Sequence, residues 1–463
     1  MGDASRKFNY KDKLAYLYGD LANTIILGLV NSFLMIYFTN VLGITGYIVG
    51  ILFFTTRIID AFVDVLIGRL CDNSKVSKEG RFRPWIRKMK YPFCISTIIL
   101  FLPFINDFSM NLKIIYAFIS YLLFGILLSA INIPYGSMAS TITSDVKNRA
   151  SLSTFRSIGA VIGGSSTGLL IPLFVYINLP NGHQIVSGNR FFIVSIICAI
   201  IAFFFYKLTY KNTVERIQFT KKEIEPINKI FISLFKNKAL IALVIVDIFI
   251  VINQILTSTN ITYLFHDFYH NKTAMSIALF LNYGTVILLA PFSTLLATKY
   301  GKKEVSIIAL LFSSVLYLTL YFLNIQNVWL YLFLMFLATL GASLFNLMIW
   351  AFISDVIDYH QYTTYLREDG TIYAVNSFAR KIGQSLAGGL GGILLSIIGY
   401  NSSKNSTTTQ TDEVMQRIYD MSNLSPSILL FISFIILALF YPLNKSTVTK
   451  ISNVLNVRNN KNQ

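Results

Sequence analysis

Twelve apolar runs, separated by short polar connections, organise this chain. A helix crossing the hydrocarbon core of a membrane needs about 20 mostly apolar residues. Runs of that kind lie near residues 14–38, 47–70, 91–105, 112–139, 152–177, 190–210, 239–263, 274–297, 305–323, 328–355, 371–398 and 425–443. They are continuous rather than alternating, so they predict helices and not the roughly 10-residue strands of a closed barrel. The third run is short, the fourth is interrupted by Pro134, and the eleventh is rich in glycine. The expected fold class is an all-α membrane protein, with twelve transmembrane helices in two pseudo-symmetric six-helix bundles.

Composition supports that reading. Of 463 residues, 54% are hydrophobic and only 13% charged, against about 25% charged in a soluble domain. The apolar excess must face lipid, which excludes a disordered chain, a secreted disulfide scaffold and an ordinary cytosolic enzyme. The net charge of +17 raises the question of nucleic acid, but its placement answers differently. With twelve spans, both termini share one side of the membrane. The connections on that side hold 29 of the 39 lysines and arginines. The excess of basic residues marks it as cytoplasmic, so no nucleic-acid partner is needed. The expected location is the cell membrane, multi-pass, with both termini cytoplasmic. Cys71, Cys94 and Cys198 offer no disulfide framework or metal spacing. The polar, basic stretch 1–13 and the long run after it do not read as a cleavable signal.

The longest cytoplasmic connection, 211–238, divides the chain into an N-terminal bundle (1–210) and a C-terminal bundle with a short tail (239–463). A basic glycine turn follows span two (Gly68-Arg-Leu-Cys-Asp72 and Gly80-Arg-Phe-Arg-Pro84) and another follows span eight (Lys299-Tyr-Gly-Lys-Lys303). A duplicated six-helix unit would leave such an echo, and paired halves of this kind are a transporter architecture. The Ser/Thr-rich segment 399–424 reads as a long outer loop.

Charges within the spans carry the candidate chemistry. A charged side chain at the bilayer centre costs at least about 2.5–3.5 kcal/mol on insertion scales, so it persists where it is paired, wet or used. Span two holds Arg57, Asp60 and Asp64 at i, i+3 and i+7, on one helical stripe. Arg57 can neutralise one carboxylate. The other needs a proton or a metal cation, because two like charges cannot both stay bare at low dielectric. Ser129 and Asn132 in span four lie one turn apart and can offer neutral oxygens; Tyr135 follows Pro134. The bland reading is that these groups only tie helices together. Span one carries Tyr18, Asp20 and Asn23, the polarity of a helix lining a wet cavity that takes a sugar; Tyr16 and Tyr37 fit an interfacial aromatic belt. Asp247, Asn253, Gln254 and Asn260 form its counterpart in span seven. Arg156 in span five, with Tyr135 in span four and Thr24 in span one, and Asn376 with Lys381 in span eleven, complete the candidate substrate groups. Adjacent residues, here Arg380 and Lys381, point about 100° apart on a helix, so one of them faces the cavity; Lys381, about ten residues inside the span, meets either an acid such as Asp60 or Asp64 or the substrate. Asp355, Asp358 and Arg367 read as a cytoplasmic gate of ion pairs. His266 and His270 read as isolated surface histidines, and no structural metal is expected.

The stretch Arg57-xx-Asp60-Ala-xx-Asp64-xxx-Gly68, closed by Gly80-Arg-Phe-Arg-Pro-Trp85, resembles the signature of the glycoside–pentoside–hexuronide:cation symporters, the melibiose-permease-like branch of the major facilitator superfamily. Lys13-Leu-Ala-Tyr-Leu-Tyr-Gly-Asp20, Asn132-Ile-Pro-Tyr-Gly136, Thr141-xxx-Asp145-xxx-Arg149 and Ser354-Asp-Val-Ile-Asp358-Tyr agree with it. The resemblance implies a sugar symporter in which Asp60 and Asp64 bind the coupling cation, with the Ser129 hydroxyl beside them. It implies that Arg156 and Lys381 serve the sugar site. The chain departs from melibiose-type members in span one, with Thr24 at an acidic sugar-ligand position and Asn23 before it, and in span four, with Asn132 and Gly136. Fewer acids with Arg156 and Lys381 retained point to a pentoside or hexuronide rather than an α-galactoside. They also favour H+ over Na+, with both open. No cofactor beyond the coupling ion is expected, and the partners are a small sugar, a cation and the bilayer around a monomer. The alternatives are a membrane-embedded glycosyl or lipid-linked transferase and a lipid transporter of the same superfamily.

Overall fold

The computed structural model describes residues 6–74, 77, 79–143, 145–178, 184–216, 237–364, 369–402 and 410–461. Among them are thirteen α-helices: α1 (Tyr10–Ile36), α2 (Gly46–Asn73), α3 (Arg83–Ile99), α4 (Met110–Ile142), α5 (Val146–Val175), α6 (Gly188–Asn212), α7 (Lys238–Tyr263), α8 (Lys272–Tyr300), α9 (Lys302–Leu323), α10 (Val328–Thr364), α11 (Asp369–Ile397), α12 (Asp412–Leu439) and α13 (Lys445–Lys461). The first twelve fall on the twelve apolar runs. Ten are long and apolar enough to cross a membrane. The other two, α2 and α11, are of similar length and carry charged side chains in mid-helix. A two-stranded hairpin, Tyr176–Asn178 with Gln184–Val186, follows α5.

Several boundaries differ from the sequence reading. Helix α3 begins at Arg83, inside the basic turn. Pro84 suits a first helical turn, where its missing N–H is not needed. The Glu215 carboxylate then accepts the backbone N–H groups of Arg81, Phe82 and Arg83 at 2.9, 2.9 and 2.7 Å. Helix α4 runs through Pro134 without ending. Helix α12 begins at Asp412, so the segment 399–424 is not all loop. Its first turn carries Asp412 and Glu413, the signs the helix dipole favours there. Ile418 and Tyr419 in its first turns are buried, and Tyr419 donates to the Leu320 carbonyl at 2.7 Å. Helix α13 occupies what reads as a tail; Ile451 and Leu455 are buried, and it packs on α10.

The chain forms two compact units, each interleaved in sequence. The first comprises Met1–Lys222, Ser258–Gly284 and Gly388–Ile418; the second comprises Glu223–Thr257, Thr285–Ala387 and Tyr419–Gln463. In the first, α1 is the most enclosed span and packs against α5 and α6, while α4 receives α2 and α3. The α1–α5 approach depends on glycine. A Cβ at Gly159 would lie 2.4 Å from the Leu17 carbonyl oxygen, and one at Gly163 would lie 2.3 Å from Thr24 Oγ1. The same unit joins α11 to α2, where a Cβ at Gly392 would meet the Gly46 oxygen at 2.3 Å and Gly50 Cα at 2.4 Å. In the second unit α9 packs on α10, and Tyr331 donates to Asn423 at 3.0 Å.

The backbone shows a repeat that the loops only hint at. Helices α1 and α7 each pass into a π-helical turn, Tyr37–Val41 and Leu264–Phe268. Each turn is followed by a left-handed residue, Gly43 (φ 73°) and His270 (φ 49°). The left-handed residue stands equally far past the start of its turn in both cases, so Tyr37 answers to Leu264 and Gly43 to His270. Tyr16 and Tyr37 do not belong to an interfacial belt: both are buried inside the first unit, and Tyr37 donates to the Leu102 carbonyl at 3.0 Å.

Candidate functional site

The charged stripe of α2 lies against α4. Arg57 Nη1 is 3.6 Å from Asp60 Oδ2, and its guanidinium sits 5.5 Å from the Tyr121 ring centre. Asp60 is buried where α4 offers no side chain: a Cβ at Gly125 would be 2.2 Å from Asp60 Oδ1. Tyr121, Gly125, Ser129 and Asn132 follow one another at helical spacing, so the α4 face that receives Arg57 and Asp60 also carries Ser129, which is buried. Asp64 stands one turn along α2 from Asp60 and is half-buried. Sequence reasoning misses Gly125. Its only signal there is a small residue one turn before Ser129, easily taken for ordinary packing.

A second cluster joins α1, α4 and α5. Arg156 Nε donates to Asp20 Oδ1 at 3.1 Å. The Arg156 guanidinium lies 5.5 Å from the Tyr135 ring centre, and that ring stacks on Tyr16 at 4.7 Å. Asp20, Arg156 and Tyr135 are thus brought together. Asn23 is buried and engaged on both sides: its Oδ1 accepts from the Tyr206 hydroxyl at 2.6 Å and its Nδ2 donates to Asn132 Oδ1 at 3.3 Å. Thr24 bonds back to the Asp20 carbonyl of its own helix at 2.7 Å, and Tyr18 stacks on Phe205 at 5.5 Å.

The second unit holds a comparable cluster. Arg380 Nη1 donates to Asp247 Oδ1 at 2.8 Å, and Asn376 Nδ2 donates to Asp247 Oδ2 at 3.0 Å. Asp247 and Asn376 are both fully buried. Arg380 is the cation that meets α7, a pairing with Asp247 that the sequence reading does not make. Lys381 is half-buried. Asp355 is bound by Lys302 at 2.6 Å, a partner from the basic glycine turn that the sequence reading does not join to it. Asp358 is half-buried, and Arg367 lies outside the described residues.

The π-helical turns build a further network in the first unit. Thr39 Oγ1 meets the Tyr263 hydroxyl at 2.9 Å, and Asn40 Nδ2 donates to the Tyr400 hydroxyl at 2.8 Å. Tyr400 donates to Asp267 Oδ2 at 3.1 Å, and His266 Nδ1 stands 3.0 Å from Asp267 Oδ1. His266 is therefore buried, not a surface histidine. Burial, with Asp267 beside it, pushes the Tyr400 hydroxyl well above the usual tyrosine range, so it remains a donor. No group of three or more His, Cys, Asp or Glu that could hold a metal occurs among the described residues.

A family model described as MFS/sugar transport protein matches residues 15–445. The "Uncharacterized symporter YjmB" of Bacillus subtilis (strain 168) is 31% identical over 446 residues, covering 95% of this chain and 94% of the relative. The "Glucuronide carrier protein homolog" of Escherichia coli (strain K12) is 27% identical over 456 residues, covering 97% of each. Among solved structures, an inward-facing, unoccupied bacterial homologue of the human lysosomal transporter Spinster superimposes with a TM-score of 0.65 at 14% identity. The match covers 96% of this chain and 99% of that one. That likeness fixes the fold as the all-α membrane transporter fold. The relatives are transporters, not enzymes, which removes the transferase alternative.

Proposed function

The chain belongs to the MFS/sugar transport protein family, and from that premise we propose that it is a secondary active symporter importing a glycoside with H+ or Na+. One observation carries the coupling: Arg57 and Asp60 are held in mid-helix against Gly125 of α4, with Asp64 one turn away and Ser129 on the facing stripe. A cation arriving there is held by the carboxylates of Asp60 and Asp64 and stabilises the form that binds sugar. Sugar and cation each raise the other's affinity by the same factor, as linkage requires. The loaded protein then exposes its ligands to each side of the membrane in turn.

The sugar belongs to the hexuronide or pentoside class rather than the α-galactosides. Three features favour a hexuronide: Arg156 on α5, Lys381 on α11, and a relative named for glucuronide. The two halves, 1–210 and 239–463, are joined by a cytoplasmic connection. In this reading the protein is a monomer of the cell membrane with both termini cytoplasmic, an orientation that the 29 of 39 basic residues on that side favour.

The test is uptake into proteoliposomes holding the purified protein. Methyl β-D-glucuronide, methyl β-D-xyloside and methyl α-D-galactoside are offered under a proton or a sodium gradient separately. Accumulation above equilibrium under one gradient supports the reading. Uptake that only equilibrates, or lipid movement without sugar uptake, sinks it.

A further inference from the structure

The internal repeat pairs side chains as well as turns. Laying α1 on α7 so that Tyr37 falls on Leu264 and Gly43 on His270 places Asp20 on Asp247. Laying α5 on α11 so that Gly159 falls on Gly383 also places Gly164 on Gly388, Gly168 on Gly392, and Arg156 on Arg380. Each half therefore builds the same device: an acid on its first helix bound to an arginine on its fifth. In the second unit, the residue that answers to Arg156 is Arg380, not Lys381.

The pair in the second unit is polarised. The Asp247 side chain has no exposed surface, whereas that of Arg380 is 25% exposed. Asp247 takes Arg380 on one oxygen and Asn376 on the other, so the carboxylate is fixed and cannot swing round the guanidinium. A guanidinium carries five N–H donors in a rigid fork. Arg380 gives one of its bonds to Asp247 and none to any other described group. A quarter of its side chain stays exposed, so the fork keeps donors beyond the bond to Asp247, and a guanidinium fork matches a carboxylate through two parallel bonds. Asn376 Oδ1 is buried without a protein partner and supplies an acceptor for a hydroxyl or water in the same cluster.

We propose that Arg380 is a specificity-determining residue that binds the anionic group of a carboxylated sugar, with Asp247 and Asn376 as its positioning residues. The proposal rests on the sugar-symport reading and deepens it. A pair serving only to tie α7 to α11 would gain nothing from leaving the Arg380 side chain a quarter exposed. A buried ion pair is a weak stabiliser compared with apolar packing of equal volume.

The experiment compares wild type, Arg380→Gln, Arg380→Lys and Asp247→Asn in proteoliposomes, with methyl β-D-glucuronide and methyl β-D-glucoside as probes. A charge-assisted hydrogen bond to substrate predicts a KM for the glucuronide raised about 10- to 100-fold in Arg380→Gln. The glucoside lacks the carboxylate, so its KM rises less and the glucuronide-to-glucoside preference falls. Arg380→Lys keeps the charge and lacks the fork, so the preference falls partway. Asp247→Asn also raises the glucuronide KM. Should Arg380→Gln fail to fold, the same ratio is read from Arg380→Lys. An unchanged glucuronide-to-glucoside preference in the Arg380 variants, with both sugars losing equally, overturns the assignment to Arg380. Wild type that moves neither sugar under either gradient overturns the transport reading beneath it.

Discussion

Substituting Gly392 by alanine tests whether the α2–α11 seam governs access to the transport path. A Cβ on Gly392 would stand 2.4 Å from Gly50 Cα, where ordinary contact begins near 3.4 Å. The two backbones must separate by about 1 Å, and both contacting atoms are main chain, so no rotamer relieves the clash. Overpacking of this kind costs about 1–3 kcal/mol. That cost falls on the state with the seam closed and is absent from the state with it open. The equilibrium therefore moves by about 5- to 150-fold toward the open seam. Val49 on α2 is fully buried; a cysteine there reports the opening through an impermeant maleimide added on the side opposite the termini. Gly68→Ala serves as control, since nothing lies within 4 Å of a Cβ at that glycine. The labelling rate is expected to rise in Gly392→Ala and not in Gly68→Ala. An unchanged rate in a monodisperse Gly392→Ala protein would refute the reasoning.

The remaining expectations are shorter. Asp60→Asn or Asp64→Asn abolishes uphill accumulation; either variant concentrating sugar at the wild-type level would show the coupling assignment to be wrong. Gly125→Ala drives a methyl into Asp60, so the cation concentration for half-maximal uptake rises while the sugar dependence at saturating cation changes little. Glu215→Gln weakens three charge-assisted bonds to the start of α3, and loss of about 1.5–3 kcal/mol lowers the melting temperature in detergent; equal melting temperatures would contradict that capping role.

The spans were legible because their signal is average apolarity over a long window, which lipid imposes directly. The first turns of α12 were not, because Asp412-Glu413-Val-Met-Gln-Arg is polar on average and buries only a few positions, Ile418 and Tyr419 among them. Helix α13 escaped for the same reason. The Arg57, Asp60 and Asp64 stripe was readable because helical spacing alone places it on one face. Partners on other helices were harder. Nothing in the spacing ties Asp355 to Lys302, or chooses Arg380 over Lys381 for Asp247. Tyr16, Tyr37 and His266 read as surface groups because amphipathic side chains near span ends usually snorkel. Here they are enclosed by neighbouring helices.

The repeat also explains why one tyrosine holds two π-helical turns. Asn40 and Asp267 occupy the same place in their respective turns, and the Tyr400 hydroxyl bonds to both. Tyr400→Phe keeps the ring and removes the shared hydroxyl. Two buried polar groups then lose a partner, at about 1–3 kcal/mol for each group left unsatisfied. The cysteine at Val49 should therefore label faster in Tyr400→Phe than in its parent. The sign of the pH dependence follows from the raised Tyr400 value. A group whose folded value is raised gives its full contribution below the unfolded value, about 10 for tyrosine, and loses it only as pH climbs through the folded value. The labelling ratio of Tyr400→Phe to parent should thus stay constant between about pH 8 and 9.5. A ratio that falls toward one across that interval would mean that the Tyr400 proton is already leaving, and that the hydroxyl does not hold the two turns together.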